Sequence, residues 1–538
     1  MPKGLAHLFL NVRGVTLLLI MLVTACAGGG GSASSSTSVG GGSGSSALQS
    51  ITVTPKNPAL VFGDSVQFVA TATYADGSTQ DISGAVVWSS TNPATTNVSA
   101  SGLVSAVSLG TSTVVASSGG MDGRSTVTVS GGLATESILH TFGPGETDGL
   151  QPDGLIQASD GNFYGTTQSG GANTCFGEGT FCGTVFRITP DGVETILYTF
   201  GATATDGWHP VGPLIQASDG ELYGTTASGG AYGAGTVFKL SLSGAETILY
   251  SFGASPADGA VPVASLVQAS DGNFYGTTAS GGANYCNQIP GTSNNCGSVF
   301  KITPTGVETV LYSFGASVGD GVEPTAPLIQ ASDGNFYGTT SDGGTNACGI
   351  PPATNCGGTV FMMTPAGTES VLHSFGASPA DGIAPQGPLV QARDGNFYGT
   401  TAGGGGFPCN HPNSCGGTMY RITPAGSVSI LYRFGFTPAN EGSPSGCLIL
   451  GSDGNFYGTT IDGGPYENPG GVVYTITPQG VRTILYSFNS SASDGTDPIV
   501  LLQARDGNFY GVTNEGGGDF VVSGQTVMGS GTVFKLIL

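Results

Sequence analysis

The chain has 538 residues, 94 of them glycine, with only 9% charged residues and a formal net charge of −22; Lys and Arg together number 13. That charge excludes nucleic acid as a partner, because phosphates need a basic surface, and it excludes electrostatic docking on anionic lipid. Glycine at this level can mean disorder, but here the glycines recur in register with Phe, Tyr, Val and Ile, as turn residues of an all-β protein do.

Residues 1–25 read as an export signal. Lys3 and Arg13 flank the start, and the apolar run from Val15 to Val23 is too short for a transmembrane helix and ends in small residues. The tetrapeptide Val23-Thr24-Ala25-Cys26 resembles a bacterial lipobox. The resemblance implies cleavage before Cys26, lipid on its thiol and a membrane partner through that anchor. With Ala27 following, it implies an outer-membrane or cell-surface lipoprotein. The other reading is an ordinary signal peptide with an unrelated cysteine. Residues 26–47 are almost pure Gly, Ser, Ala and Thr, a flexible tether with a root-mean-square span of about 25 Å.

Residues 48–130 predict short strands of alternating apolar and polar residues: "SITVTP", "SVQFVATATY", "AVVWSS", "TSTVVASS" and "RSTVTVS". Eighty residues of such strands predict a β-sandwich with Trp88 as its core aromatic. Trp88, the Ser-Ser-Thr-Asn turn after it, Gly102-Leu103-Val104 and Gly110 resemble the group 2 bacterial immunoglobulin-like (BIG2) domain. Such domains are commonly spacers or adhesive modules.

Residues 136–538 are repetitive. The phrase "QASDGNFYGTT" at 157–167 recurs with its Asp-Gly at Asp160, Asp219, Asp271, Asp333, Asp394, Asp453 and Asp506. Each unit holds four strand-like pieces, which in the second are "PLIQAS" (213–218), "ELYGTT" (221–226), "GTVFKLSL" (235–242) and "ETILYSF" (246–252). Four strands per period of roughly 50 residues predict a propeller blade, and seven copies predict a seven-bladed β-propeller. Asp-Gly predicts a type I′ hairpin between the first two strands. The long connection after the fourth strand then makes the first strand innermost and the fourth outermost. The region begins with a lone outer strand (136–142) and ends on a third strand (531–538), so pairing those two would close the ring and remove two sheet edges. The phrases "DGNFYGTT", "GTVF" and "ETILYSF" resemble the GloVer tandem repeat of bacterial choice-of-anchor surface proteins, and they echo the hairpin of NHL-type propellers. The resemblance implies no reaction.

Four local cysteine pairs, Cys175–Cys182, Cys286–Cys296, Cys348–Cys356 and Cys409–Cys415, fall in connections between second and third strands. They read as disulfides, each worth about 2–3 kcal/mol in the chain-entropy model, and they agree with export. Metal ligation is the rival, though the spacings vary, no C-x-x-C occurs and His411 is the nearest histidine. Cys447, at the start of an inner strand, reads as a small buried thiol.

These connections and the blade-to-blade loops emerge on one face, which is the expected binding surface. The blade-to-blade loops carry "DGxxP", with Asp148, Asp206, Asp258, Asp320, Asp381 and Asp494. Their carboxylates would either ring a channel mouth and hold Ca²⁺ or form Asx-turns with their own backbone; no other cofactor is expected. Departures from the repeat mark candidate ligand residues on the same face: Trp208, His209, Tyr232, Tyr285, His411, Tyr466, Glu467 and Glu515. Trp208 and the tyrosines would stack on sugar rings, and the acids could do glycoside chemistry. His140 and His373 stand where other outer strands have Tyr and read as structural variants. No motif fixes a nucleophile, a base or an oxyanion site. The expectation is a monomeric surface protein that captures a glycan, a polymer or a protein. A polysaccharide-active enzyme and a structural envelope component are the alternatives.

Overall fold

The computed structural model describes residues 47–538 apart from 62–63, 108, 131, 133, 144–146, 176–180, 285–295, 347–356, 379, 407–415, 436–441, 465–469, 490, 492 and 523–524. The described residues are all-β with no helix, so none is long and apolar enough to cross a membrane. The chain divides into Met1–Ala47 and Leu48–Leu538, and all that follows belongs to the second unit.

Its first part is a sandwich. Leu48–Thr54, Val69–Tyr74 and Thr79–Asp81 form one sheet, and Ala59–Val61, Met121–Ser130, Gly110–Ser118 and Val87–Ser90 form another. Along Met121–Ser130 the residues are alternately buried and exposed, with Val127 and Val129 inside, as a strand with one wet face requires. Trp88 is a core residue: its Nε1 donates to Ser83 O at 2.9 Å and its ring meets Phe68 edge-on at 6.5 Å.

Seven four-stranded antiparallel sheets follow among the described residues. Six are built from consecutive strands in the order inner, second, third, outer. The seventh takes its outer strand, Thr135–Thr141, from the start of the region and pairs it with Thr532–Ile537 at the end, Glu136 opposite Leu536 and Ile138 opposite Phe534. In repeats three to five the inner strand is broken into two short pieces, such as Gly259–Ala260 and Val267–Gln268.

The hairpin between the first two strands is not the expected type I′. Ala158 O accepts from Gly161 N at 3.0 Å and Ala158 N donates to Asn162 O at 2.9 Å. Gly161 alone is left-handed, with φ +88°. This is a type I turn closed by a left-handed glycine. Asp160 organises it: Oδ1 accepts from Asn162 N, and Oδ2 from Asn162 Nδ2 and Tyr164 OH. The letters Asp-Gly-Asn-x-Tyr are thus a set of hydrogen-bond partners, and the strand that follows, Phe-Tyr-Gly-Thr-Thr, is wholly buried in repeats three to six.

Three series of contacts link each repeat to the next, and each series returns from the last repeat to the first. A glutamine Oε1 on six of the seven inner strands accepts from a backbone N–H of the preceding repeat's hairpin. The pairs are Ser159–Gln216, Ser218–Gln268, Ser270–Gln330, Ser332–Gln391, Ser452–Gln503 and, from last to first, Arg505–Gln157, all at 2.7–2.9 Å. Leu450 stands where the missing glutamine would be. The second-strand Tyr stacks on the next repeat's Phe at 4.1–4.4 Å, from Tyr223–Phe274 through Tyr457–Phe509 to Tyr510–Phe163. The third series has all seven members. The Gly before each third strand lies against the Pro of the next "DGxxP", so that a Cβ at Gly183, Gly235, Gly297, Gly358, Gly417, Gly471 or Gly531 would come within 2.5–2.9 Å of that ring, Pro152 closing the set.

The sandwich packs on repeat six. Ala134 N donates to Leu485 O at 2.7 Å, and the sandwich core is continuous with Leu448, Phe456 and Ile484. In the outer strand Arg482–Ser487, Ile484 and Leu485 are buried, whereas the matching residues of the other outer strands are only partly so.

Candidate functional site

The "DGxxP" segment opens each inner strand at the end opposite the Asp-Gly hairpin. Its Asp does not face a channel mouth. In the second unit Asp206 is 2% exposed and its Oδ2 accepts from Tyr198 OH at 2.9 Å and Ala202 N at 3.0 Å. Asp258 takes Tyr250 OH, Gly253 N, Ala254 N and Gly259 N, and Asp320 takes Tyr312 OH, Ala316 N and Gly321 N. Asp148 and Asp381 bind their own connections likewise, and Asp494 accepts from Tyr486 OH. The carboxylates point back to the outer strand of the preceding sheet because the connection's bare N–H groups need acceptors there. Each of these six carboxylates is thus engaged within its own junction.

The residue before the proline is different. Gln151, His209, Val261, Glu323, Ala384 and Asp497 all have φ of 52–57°, a conformation that costs a non-glycine residue free energy and clusters at functional positions. Each is held there by its N–H, which donates to the preceding repeat: Gln151 to Ser530 O, His209 to Cys182 O, Val261 to Ala234 O, Glu323 to Cys296 O, Ala384 to Gly357 O and Asp497 to Gly470 O, at 2.9–3.2 Å. The scaffold thus fixes the backbone in six of the seven repeats, Ser443 N of repeat six donating instead to Asp462 Oδ1, and leaves the side chain free to differ.

A second variable position lies beside it on the second strand. Its occupants include Ser169, Ser228, Ser280, Asp342, Gly403 and Glu515, each paired across the ladder with the residue before the left-handed one. In repeats four and seven both positions are acidic. Burial, then the Glu323 charge, pushes Asp342 up to about 7. Burial, then Glu515 and Asp462, pushes Asp497 up to about 6. Asp342 and Asp497 therefore lose their protons later than an ordinary carboxyl, which lets each donate a hydrogen bond at mildly acidic pH and accept one above it. Glu515, Gln151, Ser169 and Asn514 also line a cavity of about 340 Å³ where the last repeat meets the first.

Of the predicted ligand residues, the four that are described do not form one group. Trp208 is 9% exposed, in one core with Cys175, Cys182, Phe200 and Phe238. Its ring lies against Gly229, so it has no face for a sugar. His209 is partly buried at its left-handed position. Tyr232, 61% exposed, lies in the same repeat's loop. Glu515 belongs to the acidic group two repeats away around the series. Tyr285, His411, Tyr466 and Glu467 lie outside the described residues. Glu323, Asp342, Asp462 and Asp497 were missed; aligning the repeats on "DGxxP" and "TTxxGG" puts them at two fixed columns.

Cys296 is disulfide-bonded, and Cys286 lies outside the described residues, as do Cys26, Cys348, Cys356, Cys409 and Cys415. Cys447 packs against the next inner strand, where Leu501 N meets its Sγ at 3.2 Å, and burial pushes its thiol up to about 11.

Among curated proteins, Ice-binding protein 1 of Shewanella frigidimarina is 34% identical over 105 residues, which is 20% of this chain and 12% of that protein. Among solved structures, the chain is similar to a polysaccharide lyase, the PL25 ulvan lyase (TM-score 0.45, 9% identity, 74% of this chain and 95% of that one). It is also similar to a PQQ-bound aldose sugar dehydrogenase of Streptomyces coelicolor (TM-score 0.32, 12% identity, 75% and 98%). The group 2 bacterial Ig-like domain matches residues 47–129. The Gloeobacter/Verrucomicrobia repeat matches residues 99–352 and 352–537, most of the chain, and the protein therefore belongs to that family.

Proposed function

We propose that this is an exported, lipid-anchored surface protein whose repeats form a closed seven-bladed propeller and whose loop face binds a hydroxyl-rich polymer, a glycan above all. The ring is supported by the seven Gly–Pro contacts that return from Gly531 to Pro152. Anchoring rests on the lipobox-like Val23-Thr24-Ala25-Cys26, and the cysteine pairs would pin the loops of the binding face. The binding reading rests on one observation: the two positions that the scaffold leaves variable carry paired acids in repeats four and seven. Carboxyl pairs with one member raised toward neutrality suit sugar hydroxyls, which both donate and accept. A glycan array probed with the full exported chain tests it. Binding should fall at least tenfold in Asp497→Asn/Glu515→Gln or in Glu323→Gln/Asp342→Asn; no bound glycan, or equal binding by both double variants, refutes it.

A second reading, a polysaccharide-active enzyme, is favoured by Asp497 itself. An acid raised to about 6 beside a second carboxylate is the pattern of a proton donor with its partner. Release of reducing ends or of unsaturated uronate from array-positive polymers, lost in Asp497→Asn, would establish it.

A further inference from the structure

At four junctions between neighbouring sheets an outer-strand tyrosine donates its hydroxyl to the Asp of the connection that follows: Tyr198 to Asp206, Tyr250 to Asp258, Tyr312 to Asp320 and Tyr486 to Asp494, at 2.8–3.1 Å. The next outer strand adds a glutamate beside each pair: Glu246, Glu308, Glu369 and Glu136. Where the last sheet meets the first repeat the tyrosine is replaced by His140. Imidazole is shorter than phenol, and Nε2 stops 3.7 Å from Asp148 Oδ1, beyond hydrogen-bond reach. Glu194 of the next outer strand completes the group, and one ligand atom from each of the three residues lies within 4.8 Å of the others. His140 Nε2 and Glu194 Oε1 are sealed from solvent with no hydrogen-bond partner. Asp148 is fixed in place by Gly143 N and Gly149 N. The substitution of histidine for tyrosine has therefore exchanged a hydrogen bond for a gap edged by one imidazole and two carboxylates.

We propose that His140, Asp148 and Glu194 bind a single divalent ion of the zinc class. One nitrogen and two carboxylate oxygens suit zinc, whereas calcium asks for six to eight oxygens. Ligand atoms about 2.1 Å from a tetrahedral zinc lie roughly 3.4 Å from one another, so His140 and Asp148, 3.7 Å apart, are already close to that spacing, and Glu194 has a ligand atom within 4.8 Å of both. His140 Nε2 and Glu194 Oε1 are themselves buried, while His140 and Asp148 keep about a fifth of their side-chain surface exposed, so the group lies just beneath the surface. The ion would tie Thr135–Thr141, the outer strand of the last sheet, to Glu194–Thr199, the outer strand of the first repeat. The chain contains its own control: His373 Nε2 also stands 3.7 Å from Asp381, but Val428 occupies the place of the glutamate.

The test uses the full chain, stripped with chelator and titrated with zinc alone by calorimetry, with bound metal counted by mass spectrometry. His140→Tyr copies the residue at four sister junctions, Glu194→Val copies Val428, and His373→Tyr is the control. The expected result is one zinc per chain, weakened at least tenfold in His140→Tyr and Glu194→Val and unchanged in His373→Tyr. In the unaltered chain, zinc should protect His140 but not His373 from acylation by diethyl pyrocarbonate, which keeps the test independent of how the variants fold. No bound zinc, zinc binding undiminished in His140→Tyr, equal loss in His373→Tyr, or no protection of His140 overturns the proposal.

Discussion

Single residues in this protein are constrained by the neighbouring repeat more than by their own. The seven glycines that precede the third strands, from Gly183 to Gly531, each face a proline of the next repeat, so a methyl group at Gly531 would meet Pro152 Cδ at 2.6 Å and, at φ +108°, would also be strained. Gly531→Ala should cost about 2–4 kcal/mol, read as a lower midpoint in denaturant. Leu450 marks the one glutamine clamp that is missing. Leu450→Gln should let Arg393 N find the acceptor that its sister positions have and raise stability by about 1 kcal/mol; an unchanged melting temperature would show that the clamp adds nothing. Trp208→Ala empties a core and should cost about 3–5 kcal/mol, so it cannot report on sugar stacking. Tyr232→Ala, at an exposed side chain, should leave stability within about 0.5 kcal/mol and is the variant to use for that question.

At the scale of elements, two sets of carboxyls pull stability in opposite directions with pH. The hairpin acids Asp160, Asp219, Asp271, Asp333, Asp394, Asp453 and Asp506 are held low; burial opposes this, but hydrogen bonds from neighbouring Asn, Tyr or Lys side chains outweigh it. Their stabilisation is present above the ordinary carboxylate value of 3.8 and is lost as pH falls through their lower folded values. The outer-strand glutamates are the reverse. Burial, then the charge of the adjacent Asp, pushes Glu246, Glu308 and Glu369 up to about 7 and Glu136 up to about 8. Their contribution is complete below the ordinary 4.5 and is lost as pH rises through 7 to 8. The melting temperature should therefore peak near pH 4–5 and fall toward pH 8. Replacing Glu246, Glu308 and Glu369 together by Gln should flatten the high-pH limb and leave the acid limb unchanged; a limb of equal slope in the triple variant would remove these residues as its cause.

The whole molecule depends on a strand borrowed from one end of the repeat region by the other. Deleting residues 135–141 would bare the edge of Thr532–Ile537, and an open sheet edge recruits other chains. That deletion should make the chain self-associate more than the intact chain does, read by light scattering. The docked sandwich explains why the repeat departs from itself where it does. Arg482 stands where most other outer strands carry Glu, and its charge acts on Asp64 of the sandwich. Ile484 and Leu485 are buried there and nowhere else in that register.

The periodic features were legible in the letters. The count of repeats, the order of strands within each sheet, the borrowed outer strand and the core role of Trp88 all follow from alternation, turn residues and the mismatch between the two ends. These are properties of local chain geometry, which recur wherever the same residues recur. What the letters did not show was direction and company. Asp206 and its equivalents could be read from the letters either as an ion-holding ring or as Asx-turns, and only the folded connection reveals the N–H groups and the tyrosine that engage them. Trp208 looked like a platform until its neighbours from other strands enclosed it. The acid pairs of repeats four and seven, and the His140 group between the last sheet and the first repeat, join residues about 20 to 50 positions apart in sequence. Their proximity exists only once the sheets are stacked side by side, because burial and like charge act through space and not along the chain.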